Sequence, residues 1–436
     1  MTEYGMPFLR GPTHRWSLMS KDHKKALACS NPETNASAGT MKGARLLLSG
    51  LLGLAQVVTS APTVNLAQSL AIRDEPTKVV SSVPSTTFSD KTIFSPPTDA
   101  GWTDPRVLYA RMIQLESGAL LATWENYSPE PPLVYYPIYQ SLDGGLNWAE
   151  IGRVTDDVNG WGNRYQPFLY QLPQDIGDFP AGTILCAGNS LPSDLMHTKI
   201  DVYASRDQGF TWEFVSSVAS GGEGRPVNGL TPVWEPFILT YKNQLILYYA
   251  DQRDPAYGQK LSHQVTTNLL EWSEPVNDVV TVGNYEGRPG MPVIAKLPNC
   301  NYIFTYEQCG TDGCRIHYRL GPDPLDFLNA PDYSIRSDKG TRPSSSPYVV
   351  WSSLGGGNGT IILSAATTDK IYVNKNLGAA DSWIEFNTPQ PRAYTRALMV
   401  YRDDPNLLGI IGAGWLPPSA VNYVSNAAID LTALGV

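Results

Sequence analysis

Ser141-Leu-Asp-Gly-Gly-Leu-Asn-Trp148 and Ser205-Arg-Asp-Gln-Gly-Phe-Thr-Trp212 are the two stretches that decide the fold. Both fit Ser-x-Asp-x-Gly-x-x-Trp. The Asp closes a tight turn on neighbouring backbone, and the Gly supplies a conformation that other residues avoid. The Trp then packs back on the strands that the turn joins. Such a hairpin stitches a sheet and lies away from chemistry, so it speaks for architecture and not for function. Thr266-Thr-Asn-Leu-Leu-Glu-Trp272 is a degraded third copy.

Outward from these hairpins a longer repeat appears. Five segments open with Arg near a turn, enter an apolar strand, pass a Gly or Pro turn and enter a second apolar strand. Arg106 leads to Val107–Leu115, Arg164 to Pro167–Leu172, Arg288 to Met291–Leu297, Arg342 to Pro347–Trp351 and Arg392 to Ala397–Tyr401. A sixth copy, Thr231–Tyr241 with Gln244–Ala250, lacks the leading Arg. The period is near the roughly 40–60 residues of a propeller blade. The reading is an all-β chain, a six-bladed β-propeller with Asp-box hairpins over residues 88–436. Phe88–Pro96 is expected to complete the last blade by pairing with C-terminal strands, which removes a free edge.

In a propeller, equivalent blade starts converge on one funnel, so the five Arg are expected around one cavity. Two carboxyls join them. Glu235 sits between Trp234 and Pro236 at the head of an apolar strand, and Glu307 ends Ile303-Phe-Thr-Tyr306-Glu307. An apolar setting raises a carboxyl pKa toward the range of a general acid, and a pair of carboxyls is what glycoside hydrolysis needs. The drier setting falls to Glu235, read as acid/base; Glu307 is then read as the nucleophile of a retaining scheme, and the two roles could be exchanged. The polar run Asp251-Gln-Arg253 after the neighbouring strand, and Arg164-Tyr-Gln166 beyond Trp161, offer hydrogen bonds for sugar hydroxyls. With Trp234, Arg288 and Tyr306 they complete the candidate substrate-binding set.

Trp234-Glu-Pro-Phe, Tyr248-Tyr-Ala-Asp-Gln-Arg-Asp-Pro255, Lys260-Leu-Ser-His-Gln264, Arg288-Pro-Gly-Met291 and Tyr306-Glu307 follow in the order and spacing of one family. The chain resembles the fungal exo-α-1,5-L-arabinanases of glycoside hydrolase family 93 over roughly residues 88–436, most strongly from 231 to 307. The resemblance implies a retaining enzyme that releases arabinobiose from the non-reducing end of linear arabinan, with Glu235 and Glu307 as its two catalytic carboxyls. It implies no metal or other cofactor, and a monomer. Two other readings compete: a sialidase-like exo-glycosidase, and a non-catalytic carbohydrate-binding propeller. The first lacks a Phe-Arg-Ile-Pro-like segment before the first Asp-box. The second gives no reason for two Glu set against aromatics.

The remaining features concern compartment. Met41-Lys-Gly-Ala-Arg45 followed by an apolar run to Ala61 reads as a secretory signal peptide. Residues 1–40 read as a non-native or disordered extension, and 62–87 as an arm. The net charge of −9 argues against nucleic acid or an anionic membrane as partner. Cys309 and Cys314 are close enough to bridge in an oxidising compartment. Cys186 and Cys300 could pair or remain thiols. No Cys or His spacing resembles a zinc site. Asn126-Tyr-Ser and Asn358-Gly-Thr are glycosylation acceptors.

Overall fold

Runs rich in Val, Ile, Leu and Tyr, each cut by a Gly or Asp turn, fold as short strands that pair with the next strand along the chain. The computed structural model describes residues 80–98, 101–419 and 421–436. Within them the strands form six four-stranded antiparallel sheets, and there is no helix among the described residues. The inner strands are Val107–Gln114, Asn163–Gln171, Val233–Tyr241, Arg288–Lys296, Tyr348–Ser352 and Ala397–Tyr401. Each inner strand contacts the inner strand of the next blade, and the last contacts the first, so the sheets form a closed six-bladed propeller. Apolar side chains fill the space between blades; the Phe168 and Phe237 rings, for instance, lie 4.8 Å apart.

Closure uses both ends of the ring. Phe88–Phe94 is the outer strand of the sixth blade and pairs antiparallel with Val424–Asp430. The arm's described end, from residue 80, lies on the first blade, where the Ser81 N–H donates to Leu142 O at 2.9 Å. The expectations for residues 1–40 and 41–61, and for 62–79 of the arm, lie outside the described residues.

The Asp-boxes join third to fourth strands. Gly145 N–H donates to Ser141 Oγ at 2.8 Å, and Trp148 Nε1–H donates to Gly145 O at 3.0 Å. The second box repeats both bonds at 2.8 and 3.0 Å. Gly145 has φ 99°, and a Cβ there would meet Asn426 Nδ2 at 2.7 Å, so only glycine fits. A fourth, more altered box is hidden in the fifth blade. Asn374 Oδ1 accepts from Gly378 N–H at 3.0 Å, as Ser141 does from Gly145, and Trp383 is buried beyond it.

Four inner strands carry the same irregularity. Pairing shifts between Leu108 and Arg111, Tyr165 and Phe168, Trp234 and Phe237, and Gly290 and Val293. At each shift one residue adopts a left-handed backbone: Tyr109, Gln166, Glu235 and Met291, with φ from 53° to 63°. In three of the four the next residue is Pro, namely Pro167, Pro236 and Pro292. Proline has no N–H for the ladder, so a bulge is where a strand tolerates it. The bulge turns the preceding side chain out of the pleat. That displacement builds the site.

Cys309 and Cys314 are disulfide-bonded. Cys186 is a buried free thiol, so it does not pair with Cys300. Asn358 lies on an exposed turn, but Asn126 is only 3% exposed, with its amide directed to Ser128 Oγ, so as folded it is no glycan acceptor.

Candidate active site

The inner strands begin at one face of the ring, and their first residues surround a cavity of about 570 Å³. Glu125, Glu235 and Glu307 all reach it, with Tyr127, Tyr165, Gln166, Trp234, Arg288 and Tyr394. Leu195 and Gly224-Arg225-Pro226 form part of the wall. The later residues of the same strands line a second, largely apolar space of about 400 Å³.

Glu235 and Glu307 face each other across Gly290. Glu235 Oε2 and Glu307 Oε1 lie 3.2 and 3.4 Å from where a Cβ on Gly290 would sit. Their separation therefore cannot exceed those two distances together. That bound holds for one oxygen of each carboxyl and admits the about 5–5.5 Å of a retaining pair.

Their surroundings differ. Glu235 accepts one hydrogen bond, from Met291 N–H at 2.5 Å. Burial and then the Glu307 charge push its pKa up to about 8, against the pull of Met291 N–H, Arg288 and Arg111. Burial also raises Glu307, but here Ser346 N–H at 2.8 Å, the Ser345 hydroxyl and Arg288 all favour the carboxylate. The pair is thus biased toward a protonated Glu235 beside an ionised Glu307.

Glu125 is a third carboxyl in the cavity, and sequence reasoning missed it. Burial raises its pKa to about 7, while the Tyr127 hydroxyl at 2.7 Å and Gln166 N–H at 2.9 Å hold the charged form. The signal was present: Trp124-Glu125 lies near the end of the second strand of the first blade, as Tyr306-Glu307 does in that of the fourth. Arg111 was missed as well. It is a lone charge within the apolar strand Val107–Gln114, buried, with its guanidinium 4.0 Å from the Tyr109 ring centre.

Of the nine residues proposed from sequence, Glu235, Glu307, Gln166, Trp234 and Arg288 line the cavity. Arg288 is held by three amide oxygens, of Asn228, Gln252 and Gln259, at 2.7–2.9 Å. None is a carboxylate, so its charge stays available to the two Glu. Trp234 Nε1–H shares the Gln252 oxygen at 3.1 Å.

The other four lie outside the cavity wall. Arg164 pairs with Glu130 at 2.7 Å. Arg253 closes on Asp251 at 2.8 Å and on the Tyr249 hydroxyl, so these two satisfy each other. Tyr306 is buried, donating to Asp332 Oδ1 at 2.5 Å; strand alternation sends Glu307 to the funnel and its neighbour away. The expected ring of Arg also fails to form. Arg106 bonds Thr98 O, Arg342 pairs with Asp312, and Arg392 lies over the Trp415 ring. Outside the bulges, these side chains find partners in nearby loops.

Comparison with family models and with curated proteins returns no match. Solved structures do match. An α-L-arabinofuranosidase from Fusarium graminearum, bound to an iminosugar inhibitor, shares 53% identity over 80% of this chain and 99% of its own, with a TM-score of 0.79. A Penicillium chrysogenum α-L-arabinanase bound to arabinobiose shares 51% over the same fractions, with a TM-score of 0.78. The Fusarium enzyme with arabinobiose, described as a member of family GH93, matches at 52% and 0.78. The NanB sialidase of Streptococcus pneumoniae, at 12% identity and 0.51, shares the fold alone. With half its residues identical across nearly the full length of those enzymes, the chain belongs to glycoside hydrolase family 93 and is a glycoside hydrolase.

Proposed function

We propose that this chain is a secreted, retaining exo-arabinanase that releases arabinobiose from the non-reducing end of linear α-1,5-L-arabinan. The observation that carries the reading is the pair of buried carboxyls across Gly290, of which Glu307 has the more hydrogen bonds to hold its charged form. In the first step Glu307 attacks the anomeric carbon, and Glu235 gives its proton to the departing glycosidic oxygen. A covalent arabinobiosyl-enzyme forms, and the shortened arabinan leaves. In the second step Glu235, now a carboxylate, takes a proton from water as the water attacks, and Glu307 leaves. Arg288, near both carboxyls and without a carboxylate partner of its own, steadies the charge that moves between them.

Substrate and mode rest on further support. The related enzymes of Fusarium and Penicillium are both described in complex with arabinobiose. A cavity of about 570 Å³ suits a disaccharide end better than an open groove along a polymer. The leader-like run Met41–Ala61 and the Cys309–Cys314 bridge fit an extracellular setting.

The test separates the two roles. Glu235→Ala should still form the glycosyl-enzyme from an aryl arabinobioside whose leaving group needs no proton, stall there for want of a base, and regain turnover with azide. Glu307→Ala should be inactive on both substrates. Losses on arabinan should reach at least ~10²–10⁴-fold. Azide rescue of Glu307→Ala instead, giving an inverted azide, exchanges the roles. Near-wild-type activity in either variant removes that residue from the chemistry.

A further inference from the structure

Gln166 stands between Glu125 and Glu235 and touches both through different atoms. Its N–H donates to Glu125 Oε1 at 2.9 Å. Its side-chain oxygen accepts from Glu235 N–H at 2.9 Å and from Asn189 Nδ2 at 2.7 Å. Two donors converge on that atom, which fixes it as the oxygen of the amide and fills both its lone pairs. Asn189 is fully buried on the next strand and holds the amide in place.

Glu235 has unusual need of such a partner. Its φ of 63° is a left-handed conformation that a residue with a Cβ adopts at a cost. The pairing shift between Trp234 and Phe237 takes its N–H out of the ladder, and Pro236 beside it has no N–H to contribute. Gln166 Oε1 is the acceptor that satisfies this buried donor from the neighbouring blade.

We infer that Gln166 is a positioning residue for Glu235: its carboxamide oxygen anchors the left-handed main chain from which the carboxyl reaches the cavity. This adds to its sequence-based reading as a sugar ligand, and it rests on the reading of Glu235 as acid/base. Loss of the anchor leaves the Glu235 N–H unpaired and frees the bulge to relax, which moves the proton donor while Glu307 stays where Ser346 holds it.

The test is Gln166→Met, similar in length but without an acceptor, assayed on linear arabinotriose and on para-nitrophenyl arabinobioside. The expected result is a fall in kcat/KM, which reports glycosylation alone, of about 10–100-fold on the first, at or below the low end for loss of the proton donor itself, and under about threefold on the second, whose leaving group needs no proton. Gln166→Glu, which keeps an oxygen in place, should recover most of the loss. If Gln166→Met does not fold, Gln166→Asn, which withdraws the oxygen by one methylene, should give the same substrate-dependent loss. Equal losses of kcat/KM on both substrates, or no loss on either, overturn the inference. Glu235→Ala is run beside it. If that variant also lacks the leaving-group dependence, the acid/base reading has failed; if it shows the dependence and the Gln166 variants do not, only the positioning role has failed.

Discussion

Glu235→Gln should make the protein more stable and less active, and the stability gain should depend on pH. Glu235 is buried, and its pKa rises from 4.5 to about 8 on folding. At pH 7 the unfolded chain carries it ionised, so folding must place a proton on it. Each unit between the unfolded pKa and the working pH costs about 1.4 kcal/mol, or about 3 kcal/mol at pH 7. The sign follows from the raised pKa: stability from this group is complete below the unfolded value and is lost as pH rises toward the folded one. Glutamine is neutral at every pH, keeps an oxygen for Met291 N–H and is spared the cost. The variant should therefore unfold at higher urea than wild type at pH 7, by up to about 3 kcal/mol, and match it near pH 4, where both states of the wild type are protonated. Urea unfolding followed by tryptophan fluorescence at the two pH values measures this. No gain at pH 7, or an equal gain at both, would mean that Glu235 does not fold in its protonated form. Turnover of arabinan should fall by ~10²–10⁴-fold in the same variant.

The pH–rate profile of kcat/KM should have its alkaline limb near the Glu235 pKa of about 8, because the acid fails once its proton is lost; a limb that survives in Glu235→Gln would belong to another group. Asp207→Ala should destabilise the protein at neutral pH. Burial raises the Asp207 pKa, but hydrogen bonds from Thr211 and Ser205 outweigh it and leave the folded value below the ordinary one. Its contribution is present above the unfolded pKa and lost as pH falls through the folded one, so thermal melts should show the gap between variant and wild type closing in acid.

Architecture was legible because Asp-boxes encode their geometry locally. Ser141, Asp143, Gly145 and Trp148 contact one another within eight positions. The altered fifth-blade copy escaped because Asn374 and Asn376 replace Ser and Asp and the Trp comes later. The two facing Glu were legible because a carboxylate at the edge of an apolar strand costs too much to be incidental. The polar shell was less so. Arg164, Asp251 and Arg253 have the right chemistry for sugar, but their partners Glu130 and Tyr249 are chosen by loop and strand geometry that residue type does not reveal. Three of the bulges were in view without being used: Gln166-Pro167, Glu235-Pro236 and Met291-Pro292, and Ser346-Pro347 just ahead of the fifth inner strand, put a left-handed residue before Pro at one point of four successive repeats. A single Pro argues against a strand; its recurrence marks where each strand turns a residue inward.

Those left-handed residues before Pro bind the second to fifth blades to their predecessors. Gln166 N–H meets Glu125, Glu235 N–H meets Gln166, Met291 N–H meets Glu235, and Ser346 N–H meets Glu307. Donor and acceptor fall in different repeats every time. The unit that evolution could duplicate, one blade, is therefore not the unit that carries an intact half of the site. A blade moved by recombination would bring an acceptor without its donor, and leave a donor behind without its acceptor. Two of these links run from inner strand to inner strand, so any scheme that cuts and reassembles this ring should place its seams outside the run from Glu125 to Ser346.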